Sequence, residues 1–206
     1  MTNRKPRRRR SGSKRKLLLF SIGVLVVLAA AGVGAYAFYG HQQPANTAGT
    51  IGINSGDKAP SMPVYLTNGT STSLSSFQGH AVLVWIVATW CPGCQETAPL
   101  IASQYYSQLR SAGVTLLTVE DYNDLGYAGP TMTQFAAQYA GGVGSHQGWL
   151  FADTSQGATY TYNPQADLDI WYLVSPSGTI VTSGLNLGTT IQSAITAADS
   201  LQTAPP

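Results

Sequence analysis

The chain has 206 residues, 44% of them hydrophobic and only 10% charged, and it contains two cysteines. Its formal net charge of +2 conceals a division: nine of the eleven Lys and Arg residues are Arg4, Lys5, Arg7, Arg8, Arg9, Arg10, Lys14, Arg15 and Lys16. From residue 40 onward two bases, Lys58 and Arg110, face all nine acids, so that portion is near −7 and lacks the basic surface that nucleic-acid binding requires.

The basic run is explained by the segment after it. Leu17 to Tyr39 is 23 residues without a charge, long enough at about 1.5 Å per residue to span the roughly 30 Å hydrocarbon layer. Basic residues on its amino side keep that side in the cytoplasm and place everything after His41 outside. The predicted organisation is a basic cytoplasmic tail (1–16), a transmembrane signal-anchor helix (17–39) in the lipid bilayer, a flexible linker (40–59) and a folded domain (60–206). The chain is thus expected to be a single-pass cell-membrane protein with an extracytoplasmic C-terminal domain. A cleaved signal peptide is the alternative, since Ala35-Tyr36-Ala37 has the form of a cleavage site, but the apolar run is long for one. His41 to Ala59 reads as a tether because Pro44, Asn46, Gly49, Gly52, Asn54, Ser55, Gly56 and Asp57 leave little apolar surface to bury. Only Ile51 and Ile53 hint at an edge strand.

The remainder has the size of one domain. Val64 to Thr67 and Thr70 to Leu74 flank Asn68-Gly69, a hairpin signal. Leu74 and Phe77 should pack a short turn on the sheet. Ala81 to Ala88 is nearly continuous in apolar residues and reads as a strand buried on both faces. Pro92 to Arg110 is the first long helix, with Ala98, Ile101, Tyr105 and Leu109 on one face and a kink at Pro99. Val114 to Val119 is the next parallel strand, which implies a right-handed crossover.

Glu120-Asp121-Tyr122-Asn123-Asp124 follows, read either as a solvated acidic loop or as a cation site. Thr131 to Ala140 is a helix facing inward through Met132, Phe135, Ala136 and Tyr139. Trp149 to Ala152 is a strand, and Ala158 to Tyr162 a short helix or edge segment. Ile170 to Val174 and Thr179 to Thr182 form a hairpin across Ser175-Pro176-Ser177-Gly178. Leu187 to Leu201 closes the chain as a helix.

The stretch that carries chemistry is Trp90-Cys91-Pro92-Gly93-Cys94, placed where an apolar strand ends and a helix begins. Unpaired N–H groups and the helix dipole at that point stabilise a thiolate on Cys91, the reactive form of the thiol. Pro92 suits the first helical position, where its missing donor has no partner anyway. Gly93 adds no side chain to obstruct a substrate. Cys94, one turn inward, would resolve a mixed disulfide formed at Cys91. A structural disulfide is the alternative, although so short a ring constrains the unfolded chain little. A zinc site would need further ligands, and His80 and His146 lack the spacing, so no metal is expected. His146 lies in a glycine-rich segment from which it could visit the dithiol.

Ala59-Pro60, the Asn68-Gly69 turn, Leu74 with Phe77 and Gly79, the Val82 to Trp90 strand, the cysteine pair, Pro99-Leu100, Trp149 to Asp153, and Trp171 to Ile180 occur in an order and spacing that resembles membrane-anchored thioredoxin-like proteins of the redoxin or TlpA type. The resemblance implies an α/β fold with a central mixed sheet flanked by helices, and no cofactor. It implies an extracytoplasmic thiol-disulfide oxidoreductase that reduces protein disulfides, often in cytochrome c maturation, and exchanges electrons with a membrane thiol donor or acceptor. The alternatives are a non-catalytic scaffold with a stable disulfide and a thiol peroxidase, for which Arg110 would be the available peroxide-binding base. Trp90 would wall the dithiol and contact substrate.

Three positions depart from the pattern. Asp169 stands where such domains carry a cis-proline beside the dithiol, with Pro164 the nearest proline, and an acid there opposes thiolate formation. Trp85 replaces the buried acid that serves the inner thiol in thioredoxins. Thr97 occupies the place of a common glutamate; Glu96, shifted by one residue and so by about 100° around the helix, is expected to face solvent.

Overall fold

The structure, a computed structural model, describes residues 49–203. The basic tail and the transmembrane helix expected over 17–39 lie outside the described residues. Among the described residues no helix is long and apolar enough to cross a membrane.

The chain opens with strands β1 (Pro63–Leu66) and β2 (Ser71–Ser73), a 3-10 turn over Leu74–Phe77, and strand β3 (Ala81–Val87). Helix α1 (Pro92–Leu100), a π-helical turn (Ile101–Tyr105) and α2 (Tyr106–Ser111) follow, then β4 (Val114–Glu120). The second half comprises α3 (Met132–Tyr139), β5 (Trp149–Asp153), α4 (Gln156–Tyr162), β6 (Ile170–Val174), β7 (Ile180–Leu185) and α5 (Leu187–Thr203). All seven strands share one mixed sheet in the order β2-β1-β5-β4-β3-β6-β7. The three central strands β5, β4 and β3 are parallel, and the others pair antiparallel to their neighbours.

β3 is the axis of the domain because every one of its seven side chains is buried. Alternation sends Leu83, Trp85 and Val87 into a core shared with α1, α3 and α5, and Val82, Val84 and Ile86 into a second core with Met62, Val64, Tyr162 and Tyr172. Each such Leu, Ile or Val contributes about 1.5–3 kcal/mol through burial. The parallel register of β3 and β4 runs from Ala81↔Val114 to Val87↔Glu120. The dithiol after β3 and the acidic loop after β4 therefore emerge side by side at the same edge.

The kink at Pro99 takes a specific form. Proline has no N–H to donate one turn back, and the helix widens into the π-helical turn before resuming as α2. The widened helix still buries Ala98, Ile101 and Leu109. α3 starts at a capping box in which Thr131 and Gln134 satisfy each other's backbone N–H.

Residues 49–59, expected as part of the flexible linker, are instead folded onto the domain. Ile51 pairs with Lys58 and Lys58 with Thr179. Gly56 N–H donates to Ile180 O at 2.8 Å, Ile180 N–H to Asp57 O at 2.9 Å, and Ala59 N–H to Gly178 O at 3.0 Å. Asp57 is buried, its carboxylate accepting the Asn54 N–H. A composition argument measures apolar burial, whereas this segment is held by main-chain bonds to the start of an edge strand.

Candidate active site

Cys91 is the N-cap of α1, with extended backbone (φ −68°, ψ 120°), and Pro92 takes the first helical turn. The Cys94 N–H donates to Cys91 Sγ at 3.4 Å. Both thiols are free. The Cys91 thiol is pulled down from its ordinary value to about 6, chiefly because the Cys94 thiol donates a hydrogen bond to it, with burial and the Asp169 charge opposing and the N–H groups of Cys94 and Gly93 assisting. Cys94 is pushed far above the usual thiol range for the reciprocal reason, reinforced by burial and by Asp169. The outer sulfur is thus the thiolate and the inner one holds the proton.

Cys91, which a client disulfide has to reach, retains only 4% of its surface, and Cys94 none. The half-buried Trp90 precedes Cys91, and the exposed Pro92 and Gly93 follow it. Glu96 is exposed on α1, away from the dithiol's buried side. Thr97 is buried and packs toward α5, where a Cβ on Gly188 would lie 2.5 Å from its Oγ1.

Asp169 faces the dithiol from the loop before β6. A Cβ added to Gly93 would lie 3.9 Å from Asp169 Oδ2 and 3.9 Å from Cys91 Sγ. The other carboxylate oxygen accepts the Trp85 indole N–H at 2.6 Å and the Leu187 N–H at 3.2 Å. Burial holds this carboxyl above the usual range, partly offset by those two donors. The replacement of an acid by Trp85 on β3 is therefore matched by an acid on the neighbouring strand's entry loop, and the two residues bond to each other. Asp169 has φ 59°, which no proline can adopt, and among the described residues no peptide bond is cis. Pro164 is exposed and takes no part.

The two aspartates of the acidic loop are not solvated, and its acids are not arranged as a cation site. Asp121 and Asp124 are 1% and 6% exposed, and among the described residues no group of three or more His, Cys, Asp or Glu side chains is disposed to hold a metal. Asn123, Asp124 and Leu125 form a left-handed turn with φ of 53°, 49° and 58°, a conformation costing about 1–2 kcal/mol per residue. The turn delivers Asp124 to the residues just before Cys91. Asp121 also sits in a buried network: Asn163 donates to its Oδ2, while burial pushes the carboxyl up to about 6. Glu120 is raised further, to about 7, by burial and by the charges of Asp124 and Asp153.

His146, which could have visited the dithiol, and Arg110, weighed as a peroxide-binding base, both lie elsewhere. His146 lies between Tyr106 and Trp149, with ring centroids 4.5 and 5.5 Å away, at the opposite end of the parallel strands. Arg110 is at that far end too, since a Cβ on Gly148 would meet its guanidinium at 2.6 Å. The residues that sequence reasoning missed are Thr89 and Asp124; their link is a contact between two loops at one sheet edge, and the only signal for it was the acidic run at the end of β4.

A mixed sheet flanked by helices, with two thiols at the amino end of a proline-kinked helix, defines a thioredoxin-like protein. The Redoxin family profile matches residues 54–182, and the chain belongs to that family. It is 29% identical over 168 residues to the thiol-disulfide oxidoreductase ResA of Bacillus subtilis, covering 82% of this chain and 84% of that one. Among solved structures, it is similar to a Chlorobium tepidum protein assigned as the thiol:disulfide interchange protein DsbE (19% identity, TM-score 0.53, 71% of this chain and 98% of that one). It is also similar to the C-terminal domain of an uncharacterized protein from Bacteroides fragilis (16% identity, TM-score 0.54, 69% and 97% covered).

Proposed function

We propose that this redoxin reduces protein disulfides outside the cytoplasm, with Cys91 as nucleophile and Cys94 as resolving thiol. Family membership and a paired dithiol make the chain a thiol-disulfide oxidoreductase. The single observation that carries the residue assignment is the bonding of Cys94 to Cys91 Sγ at the start of α1, which leaves one thiolate and one proton in the pair.

The thiolate of Cys91 attacks one sulfur of a client disulfide; that S–S bond breaks and the second client sulfur leaves as a thiolate and is protonated. Loss of the Cys91 charge then removes the main force holding the proton on Cys94. Asp169 is the carboxylate placed to receive it. The Cys94 thiolate attacks Cys91 Sγ, the mixed disulfide breaks, and the client departs with two electrons, one proton returned by Asp169 and one taken from solvent, while the pair becomes a disulfide. Trp90, Pro92 and Gly93 form the rim that the client crosses.

The reductive direction is supported by the absence of His or Lys within the Pro92-Gly93 ring and by a thiol at about 6, closer to the roughly 7 of thioredoxin than to the roughly 3.5 of a strong oxidant. The extracytoplasmic location is supported by the basic run followed by the uncharged segment 17–39; a membrane thiol donor would then recharge the pair. The test is turnover of a protein disulfide by the full-length chain. Cys91→Ser should abolish it and Cys94→Ser should trap a mixed disulfide; parental behaviour of both variants rejects the roles. A reduction potential near or below about −250 mV supports a reductant, and one near about −120 mV refutes it. A membrane-impermeant maleimide should label Cys91 in intact cells, and failure to label unless the cells are lysed would refute the location.

A further inference from the structure

Asp124 uses its whole functional group on the two residues before Cys91. Its Oδ1 accepts the Thr89 N–H and its Oδ2 the Thr89 hydroxyl, each at 2.6 Å, and its carbonyl accepts the Trp90 indole N–H at 2.7 Å. The loop is itself pinned to β3 by the Asp121 N–H donating to Val87 O at 2.7 Å. Gly129 closes the assembly, because any Cβ there would overlap Thr89 Oγ1 and Asp124 Oδ2 and come within 3.1 Å of Trp90 N. Tyr127 packs edge-on to Trp90 with ring centroids 5.0 Å apart. From the other side the Gln95 side chain donates to Thr89 O at 2.9 Å, tying the same residue to α1.

We propose that Asp124 is a positioning residue for Cys91: by fixing Thr89 and Trp90 it sets where α1 begins, and so holds Cys91 Sγ within reach of the Cys94 thiol and N–H. The inference deepens the reading of Cys91 as the attacking thiolate and rests on it. Asp124 acts through geometry, since its carboxylate is committed to Thr89 and the acid whose charge reaches the sulfurs is Asp169.

That distinction has opposite signs. Removing a nearby negative charge lowers a thiol pKa, whereas loosening the donors that stabilise the thiolate raises it. The full-length reduced protein is titrated through the pH dependence of Cys91 alkylation by iodoacetamide, in parent, Asp124→Ala, Asp124→Asn and an Asp57→Ala control. Asp124→Ala should raise the Cys91 pKa by about one unit, cutting alkylation about tenfold at a pH below both values. Asp124→Asn should keep the parental value, because the amide can accept the Thr89 N–H and donate to its hydroxyl. Asp57→Ala, which empties a buried acceptor in the strap far from the dithiol, should leave the thiol unchanged. A lowered or unchanged pKa in Asp124→Ala, an Asn variant that behaves like the Ala variant, or an equal rise in the Asp57 control overturns the proposal. Should Asp124→Ala fail to fold, Thr89→Val, which loses only the hydroxyl bond, should still raise the pKa, and no change there overturns the proposal as well. Alkylation needs no client, so failure of all disulfide turnover would reject the enzymatic reading while this result still judged Asp124.

Discussion

Replacing Asp169 by Asn should make Cys91 more acidic. The change is nearly isosteric: an amide oxygen can accept from Trp85 and Leu187 as Asp169 Oδ1 does, and Asn tolerates the left-handed φ of 59°. Only the charge is lost. Asp169 Oδ2 and Cys91 Sγ each lie 3.9 Å from the position of a Gly93 Cβ, so they are separated by at most twice that distance. A unit charge at about 8 Å and an effective dielectric of about 20 is worth about 2 kcal/mol, or roughly 1.5 pKa units. Burial raises the Asp169 carboxyl and so works against its charge, and the expected fall is therefore at most about 1.5 units, below the present value of about 6. A more stable thiolate also stabilises the reduced pair, raising the reduction potential by about 30 mV for every 1.4 kcal/mol. Ultraviolet absorbance of the thiolate against pH reads the first quantity and equilibration with a redox buffer the second. An unchanged or higher thiol pKa in Asp169→Asn would refute the claim that this carboxylate acts on the dithiol.

Gly129→Ala should destabilise the protein by about 1–3 kcal/mol in urea denaturation, since its Cβ has no room beside Thr89 and Asp124. Gly157→Ala in α4, where a Cβ meets nothing within 4 Å, should be neutral or slightly stabilising, and equal losses from both would discredit the packing argument. The oxidised protein should lose stability as pH rises from 4 to 7, because Asp121 and Glu120 have folded values above their unfolded ones and bind more protons when folded. The Asp121 contribution is at most about 3 kcal/mol before solvent screening. The reduced protein has an opposing term, since the folded value of Cys91 lies below its unfolded one and stability from it grows between about pH 6 and 9. A flat profile for the oxidised form in chemical denaturation would contradict these assignments. Glu96, Glu120, Asp124, Asp167 and Asp169 lie toward the dithiol end, while Lys58 bonds Ser177 and Arg110 abuts Gly148 at the other. Cystamine should therefore be reduced about tenfold faster than glutathione disulfide at low salt, with the gap closing as ionic strength rises; a salt-independent ratio would exclude steering by that field.

The central architecture was legible because local signals and burial agree along it. Ala81 to Ala88 read as a doubly buried strand and is one, save for its last residue; Asn68-Gly69 marked the β1/β2 hairpin, and Pro99 marked the kink. The cysteine spacing located the dithiol. What stayed hidden depends on contacts between segments distant in sequence. Thr89 and Asp124 are 35 residues apart, and a carboxylate in a run of acids looks solvated until a neighbouring strand end supplies two donors. Composition likewise assigned residues 49–59 to a tether, with Ile51 and Ile53 the single hint of the pairing that Ile51 makes, because main-chain bonds to a strand edge leave little trace in hydropathy. Asp169 was visible as a departure, but its partner Trp85, 84 positions earlier, was not.

The clasp made by residues 51–58 has a consequence for how the protein behaves when cut. It covers the beginning of β7 and brings Asp57 and Lys58 to a border that would otherwise offer bare amides and carbonyls to any passing chain. A fragment trimmed to residue 60, the boundary suggested by composition, should self-associate, whereas one trimmed to residue 49 should stay monodisperse in light scattering.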